Sequence, residues 1–191
     1  MSIDGIASPA SRDFLKVNMN GLELGTFKYF WDRLKLDIVG DATGDVLFRG
    51  VFGNPVFTSN LSVNRLRLND QMFGKVDLSA SFVPEERKID LELLVKNTKN
   101  RFGDKTLKIT GGYYPFDNKR LDLHASLKQM KIKFLEKYFQ GVFSDFNRGE
   151  TTGELDIVGN LKHPEMKGKV NVNNLNLKVD YLNAVSYTHL R

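Results

Sequence analysis

The chain contains no cysteine. That excludes any disulfide and any thiolate metal site, but it leaves the compartment open, because a reducing cytoplasm and an envelope protein that avoids oxidation both fit. Long hydrophobic runs are missing as well. No stretch approaches the roughly 18 apolar residues of a membrane span, and the opening MSIDGIASPASRDF lacks the charged, apolar and cleavage regions of a signal peptide. Histidine is scarce: His124 falls among the polar residues of an alternating stretch, His163 precedes a proline, and His189 belongs to a C-terminal tail that breaks the preceding pattern. None has a carboxylate at metal-ligand or triad spacing, so the chain is expected to be no enzyme and to use neither metal nor cofactor.

What is present is ordinary globular material, 41% hydrophobic and 27% charged, long enough for one large or two small domains. The net charge of +5 raises the possibility of an anionic partner, with Lys119, Arg120, Lys128, Lys131, Lys133 and Lys137 set against Asp122 and Glu136. Most of these charges alternate with apolar residues, as the solvated face of a strand requires, and no aromatic-interleaved motif accompanies them. A nucleic-acid partner is therefore not expected.

The strongest internal signal is a repeat. Residues 149–164, GETTGELDIVGNLKHP, are a degenerate copy of residues 40–55, GDATGDVLFRGVFGNP. Gly149, Gly153, Gly159 and Pro164 each stand 109 residues beyond Gly40, Gly44, Gly50 and Pro55. The copy extends outward, KYF at 28–30 matching 137–139, and Val63, Leu66 and Leu68 matching Val172, Leu175 and Leu177. A period this long marks a repeat architecture. Residues 1–26 then close a preceding unit, 27–133 form one unit, and 134–183 open the next. Residues 184–191 depart from the pattern, and VSYTHL within them looks like translated sequencing-adaptor sequence, so they are expected to be a non-native tail. The glycines do not form a phosphate loop, because they follow a predicted helix and open a strand, the reverse of that motif.

A second regularity is a bent pair of alternations. Val17, Met19, Leu22 and Leu24 have the spacing of Leu61, Val63, Leu66 and Leu68, of Ala125, Leu127, Met130 and Ile132, and of Val170, Val172, Leu175 and Leu177. Side chains alternate along a strand, so one extra residue would turn the second pair to the other face unless a bulge absorbs it. Bulges are expected at Asn20/Gly21, Asn64/Arg65, Lys128/Gln129 and Asn173/Asn174.

Phe27, Phe30, Trp31, Leu34 and Ile38 are spaced as one face of a helix stopped by Gly40. Phe134, Leu135, Tyr138, Phe139, Val142, Phe143 and Phe146 form a second such stripe ending at Gly149, and so much aromatic surface must lie on something apolar. Between the two, about six strands are expected, with turns at 53–55, 84–87 and 115–119 and, in the second copy, at 162–164. The fold class is mainly β, one long curved antiparallel sheet with two short amphipathic helices.

The sheet has one apolar face. Its expected members are Val76, Leu78 and Phe82, then Ile89, Leu91, Leu93 and Val95, then Leu121, Leu123 and Leu127, then Leu155 and Ile157. Such a face must fold over on itself, carry helices or hold an apolar ligand. Pattern alone leaves a closed core and an open groove as alternatives.

Residues 149–183, GETTGELDIVGNLKHPEMKGKVNVNNLNLKVDYLN, resemble the C-terminal repeat region of the TamB family, the AsmA-like (DUF490) translocation and assembly module subunits. The shared signature is a glycine, a second glycine, a strand, a third glycine, a proline turn, a leucine-x-valine strand and Val-Asp-Tyr-Leu-Asn. The likeness is strongest over residues 134–183. It implies a taco-like β-groove in an envelope protein of diderm bacteria, tethered to the inner membrane and lying in the periplasm. Phospholipid acyl chains would line the twelve residues above, and an Omp85-type outer-membrane protein would be the partner, in lipid transport or in outer-membrane protein assembly and secretion.

Overall fold

The computed structural model describes residues 1–33, 36–52, 55–69, 71–97, 105–131, 143–147, 149–160, 163–173, 176–179 and 184–187. Its framework is a ten-stranded antiparallel sheet that does not close. The strands are β1 (Ser2–Gly5), β2 (Phe14–Glu23), β3 (Ile38–Arg49), β4 (Val56–Leu68), β5 (Gln71–Val83), β6 (Lys88–Asn97), β7 (Lys105–Tyr114), β8 (Arg120–Lys131), β10 (Glu150–Asn160) and β11 (His163–Asn173). They lie side by side in chain order, interrupted only where β9 (Phe143–Asn147) leaves to pair with β12 (Asn176–Val179) and β13 (Ala184–Tyr187) in a separate three-stranded sheet. The meander follows from strict alternation in each segment. In β5, Val76, Leu78, Ala80 and Phe82 take one face while Lys75, Asp77, Ser79 and Ser81 take the other.

One end of the sheet is made of tight hairpins. Pro84–Arg87 closes with the Arg87 N–H on the Pro84 carbonyl (3.2 Å), and residues 115–119 close with Arg120 N–H on Asp117 O (2.8 Å). The other end carries the bulges, three of them where the spacing places them. Register shifts by one residue between Met19 and Leu22, between Val63 and Leu66, and between Leu127 and Met130. The residue that absorbs each shift has positive φ: Gly21 at 63°, Arg65 at 53° and Gln129 at 51°. Two of them hand their N–H to a threonine on the next strand, Gly21 to Thr43 Oγ1 (3.1 Å) and Gln129 to Thr152 Oγ1 (3.0 Å). Thr43 and Thr152 occupy matching positions of the two repeat copies. The bulge and its hydroxyl partner are thus one repeated device.

The repeat glycines have a similar cause. A Cβ on Gly44 (φ 145°) would meet the Asn60 carbonyl oxygen at 2.0 Å, and one on Gly153 (φ 151°) would meet that of Lys169 at 2.2 Å. Only glycine lets these strands approach so closely.

The fourth expected bulge is different. β11 ends at Asn173, Asn174 lies outside the described residues, and Leu177 falls in β12 of the small sheet. The apolar pairs on either side of this site therefore do not share a strand. β11 is the edge of the large sheet among the described residues.

The first expected amphipathic helix is corrected, and the second has no helix among its described residues. The first stripe supports only a 3₁₀ turn, Leu24–Phe27, running into a single six-residue helix, α1 (Lys28–Arg33), tied down by the Trp31 indole N–H on the Leu24 carbonyl (2.8 Å). Phe27, assigned to the apolar stripe, is exposed. Ile38 and Gly40 belong to β3, which begins two residues before the glycine expected to stop a helix. In the second stripe Phe143 and Phe146 lie on β9, and Phe134, Leu135, Tyr138, Phe139 and Val142 lie outside the described residues. Aromatic residues three and four apart satisfy a helical stripe by spacing, but aromatics also favour strands, and here pairing decides. Residues 184–187, within the expected non-native tail of 184–191, form β13 and pair with β12.

Candidate functional site

The sheet's registers put all twelve expected residues on one face. Val76 stands opposite Val95, Leu78 opposite Leu93, and Phe82 opposite Ile89. β7 continues these rows with Leu107, Ile109, Gly111 and Tyr113, and β8 continues them with Leu127, Ala125, Leu123 and Leu121. Leu123 then faces Ile157, and Ala125 faces Leu155. Leu91 lies in the same row as Ala80, Gly111 and Leu123. From Val76 to Phe82 the face runs about 20 Å along a strand, and ten strands span about 43 Å across it.

Burial along the face is graded. At the bulge end Val76 and Val95 are 2% exposed and Phe73 is 3% exposed, in a cluster with Ala42, Val63, Leu107, Ala125, Leu127 and Met130. Leu22, Leu24, Leu66 and Leu68, the residues just past the bulges, pack against that cluster. At the hairpin end Phe82, Ile89, Leu91 and Leu123 are half-buried, while Leu121 is 8% exposed. Among the described residues every extensive contact of a strand in the large sheet is with its sheet neighbours or, for β3, with the 3₁₀ turn, so no second layer of strands produces the burial.

Curling of the sheet accounts for it. The Gln71 side chain, on β5, donates to the Lys131 carbonyl, on β8, at 2.8 Å. Three strand intervals in a flat sheet would separate these ends by about 14 Å. A second register shift brings β5 round: Leu66 pairs with Gly74 and Arg67 with Met72, which leaves Phe73 as the extra residue beside Gly74 at φ 82°. Phe73 turns inward and fills the closed end. The face thus has a blind, packed end and a less covered one.

Polar groups on the apolar face are few. The Thr151 hydroxyl, buried at the closed end, has no hydrogen-bond partner, and Ser59 reaches the Ala80 carbonyl at 3.5 Å. Chemistry of another kind is absent from the described residues: no group of three or more histidine, aspartate and glutamate side chains gathers as a metal site. The opposite face is solvated and paired, Lys108 with Glu92 (2.9 Å), Lys88 with Glu86 (2.9 Å), and Ser62 with Asp77 (2.7 Å). A shallow hollow of about 450 Å³ takes in Thr58, Asn60, Ser81, Asp90 and Glu92 of that face together with Leu91.

Sequence spacing missed one pairing and one plug. His124 Nδ1 lies 2.8 Å from Asp156 Oδ1, a cross-strand pair that only the register of β8 on β10 reveals. Its pKa is raised, chiefly by that hydrogen bond. Phe73 lies off the alternation of Val76 to Phe82, and the adjacent Gly74 was its only signal. Leu107, Ile109 and Met130 were legible as apolar strand positions but were not assigned to the face. No family model, curated protein or solved structure matches the chain.

Proposed function

We propose that the chain is a segment of a TamB-like envelope protein in which the apolar face holds phospholipid acyl chains and forms one stretch of a track between inner and outer membranes. The protein is non-enzymatic, periplasmic and tethered to the inner membrane through parts of a longer chain, with an Omp85-type protein at the outer membrane. The observation that carries this reading is the half-open apolar face: a curled single sheet, packed at one end, whose hairpin half keeps Leu91, Leu123, Ile89 and Phe82 only partly covered. An acyl chain fills about half of a hydrocarbon core about 30 Å thick, so about 15 Å of apolar strand face accommodates one.

A second reading has one observation in its favour. β11 is exposed nearly throughout and has no outer neighbour among the described residues, as an edge that captures unfolded outer-membrane strands would be. Native mass spectrometry of protein purified without detergent separates the two. The groove reading expects co-purified phospholipid in the parent and its loss in Leu91→Asp, with the β circular-dichroism spectrum retained. A lipid-free parent that binds β-strand peptides would replace it with the scaffold.

A further inference from the structure

The hairpin end of the sheet carries large apolar side chains at its tips. Phe52 is 72% exposed, Phe116 67%, Ile6 63% and Phe14 44%. They lie in or beside three of the connections along this end: Ile6 and Phe14 flank the β1–β2 loop, Phe52 follows β3, and Phe116 sits in the β7–β8 turn. The first two connections meet through Phe52 N–H on Ser8 O (3.4 Å), and Ile6 N–H on Phe14 O (2.8 Å) closes the first of them. Two of the aromatics carry an arginine over the ring, Arg49 at 5.9 Å from the Phe14 centroid and Arg87 at 5.0 Å from that of Phe116.

The nearby carboxylates are largely engaged. Glu86 pairs with Lys88 (2.9 Å), Asp117 with Arg120 (2.8 Å) and Asp13 with Arg12 (3.9 Å). Arg49, Arg87 and Lys119 then outweigh Glu85 on the described rim.

From this arrangement we propose that the hairpin rim docks on the surface of a phospholipid bilayer, its aromatic tips entering the interface and its arginines meeting lipid phosphates. Separate apolar tips along an edge, two of them backed by an arginine, suit a fluid boundary between headgroups and acyl chains better than a flat protein partner. The rim is also continuous with the apolar face. The Phe116 ring packs edge-on to Phe82, with centroids 6.5 Å apart at 77°. Docking would thus present the open end of the face to the membrane and keep the packed end away from it. The inference goes beyond the groove reading, because bilayer docking stands even if the face holds no acyl chain.

Flotation with phosphatidylethanolamine–phosphatidylglycerol vesicles tests it, using the whole chain. The parent is expected to float, and Phe52→Ser/Phe116→Ser to bind at least about tenfold more weakly with an unchanged circular-dichroism spectrum. Arg49→Gln/Arg87→Gln should weaken binding to these vesicles more than to pure phosphatidylcholine. Leu91→Asp, which strikes the face and not the rim, should float like the parent even where its bound lipid is lost, so the two readings fail separately. A parent that stays at the bottom of the gradient, or a double phenylalanine variant that floats equally, would overturn the proposal. So would loss of flotation in Leu91→Asp alone, or a dimer that Phe116→Ser dissociates without any vesicle binding.

Discussion

The two ends of the apolar face are built from the same strands and nearly the same residue types, yet one is a core and the other is only partly covered. Val95 and Leu91 lie four residues apart on β6, point the same way, and differ in what surrounds them. Around Val95 the bulged ends of β2, β4 and β8 and the inturned Phe73 complete a shell. Around Leu91 the row runs through Ala80 and Gly111, small residues that leave room above the sheet. Local hydrophobicity sets the face, and curvature decides which part of it is buried.

The largest expected effect comes from placing the same charge at both ends. Val95→Asp puts a carboxylate with no partner among groups only a few per cent exposed, which costs about 3–5 kcal/mol and takes most of the stability of a domain of this size. Leu91→Asp keeps its carboxylate near water and should lose about 1–2 kcal/mol, the part of a leucine's transfer energy that half-burial supplies. Urea unfolding of both variants checks the contrast. Equal losses would mean that the hairpin half is as closed as the bulge half.

Deleting a bulge residue is the next step down. Without Arg65 the pairing of β4 with β5 runs straight from Val63 to Leu66, and Leu66 and Leu68 turn to the solvated face while the chain ahead of them is unchanged. Two half-buried leucines taken from the core correspond to about 2–4 kcal/mol. An extra residue in the Pro84–Arg87 turn, at the other end, should cost under about 1 kcal/mol, because a surface hairpin loop lengthens cheaply. Thermal melts of the deletion and the insertion, measured together, test whether the bulges make the closed end.

These bulges were also the most legible part of the sequence. The extra residue between two apolar pairs is a fact of spacing, and with a buried face only a bulge reconciles it with strand geometry. Three of the four sites obey it, each with a neighbouring strand paired through the shift. The face itself was legible for the same reason, alternation being a local property. What spacing could not show was curvature, which arises where distant strand ends meet, as Gln71 meets Lys131 sixty residues on. Nor could it show helix length. The stripe from Phe27 to Ile38 fits a helix by spacing, but past Arg33 the apolar Ile38 is claimed by the pairing of β3 with β4. The His124–Asp156 contact was hidden because thirty-two residues separate its partners and only the register joins them.

That pair supplies the smallest effect and a control on the whole comparison, because it lies on the solvated face behind Leu123 and Ala125 and belongs to neither end of the apolar one. Hydrogen bonding to Asp156 raises the His124 pKa above its ordinary 6.5, with the charges of Asp156 and Glu154 adding to the rise and desolvation opposing it. A group whose pKa is higher folded than unfolded stabilises the fold most while protonated in both states. The contribution is therefore complete below pH 6.5 and fades as pH rises through the raised folded value, with no further change above it. Both partners are well exposed, so screening keeps the effect small and salt reduces it. The parent should show a slight fall in Tm across this interval that His124→Gln abolishes, and Val95→Asp and Leu91→Asp should differ by the same amount on either side of it. A Tm for His124→Gln that keeps the parent's pH dependence would assign the fall to other groups and remove this pair from the account of stability.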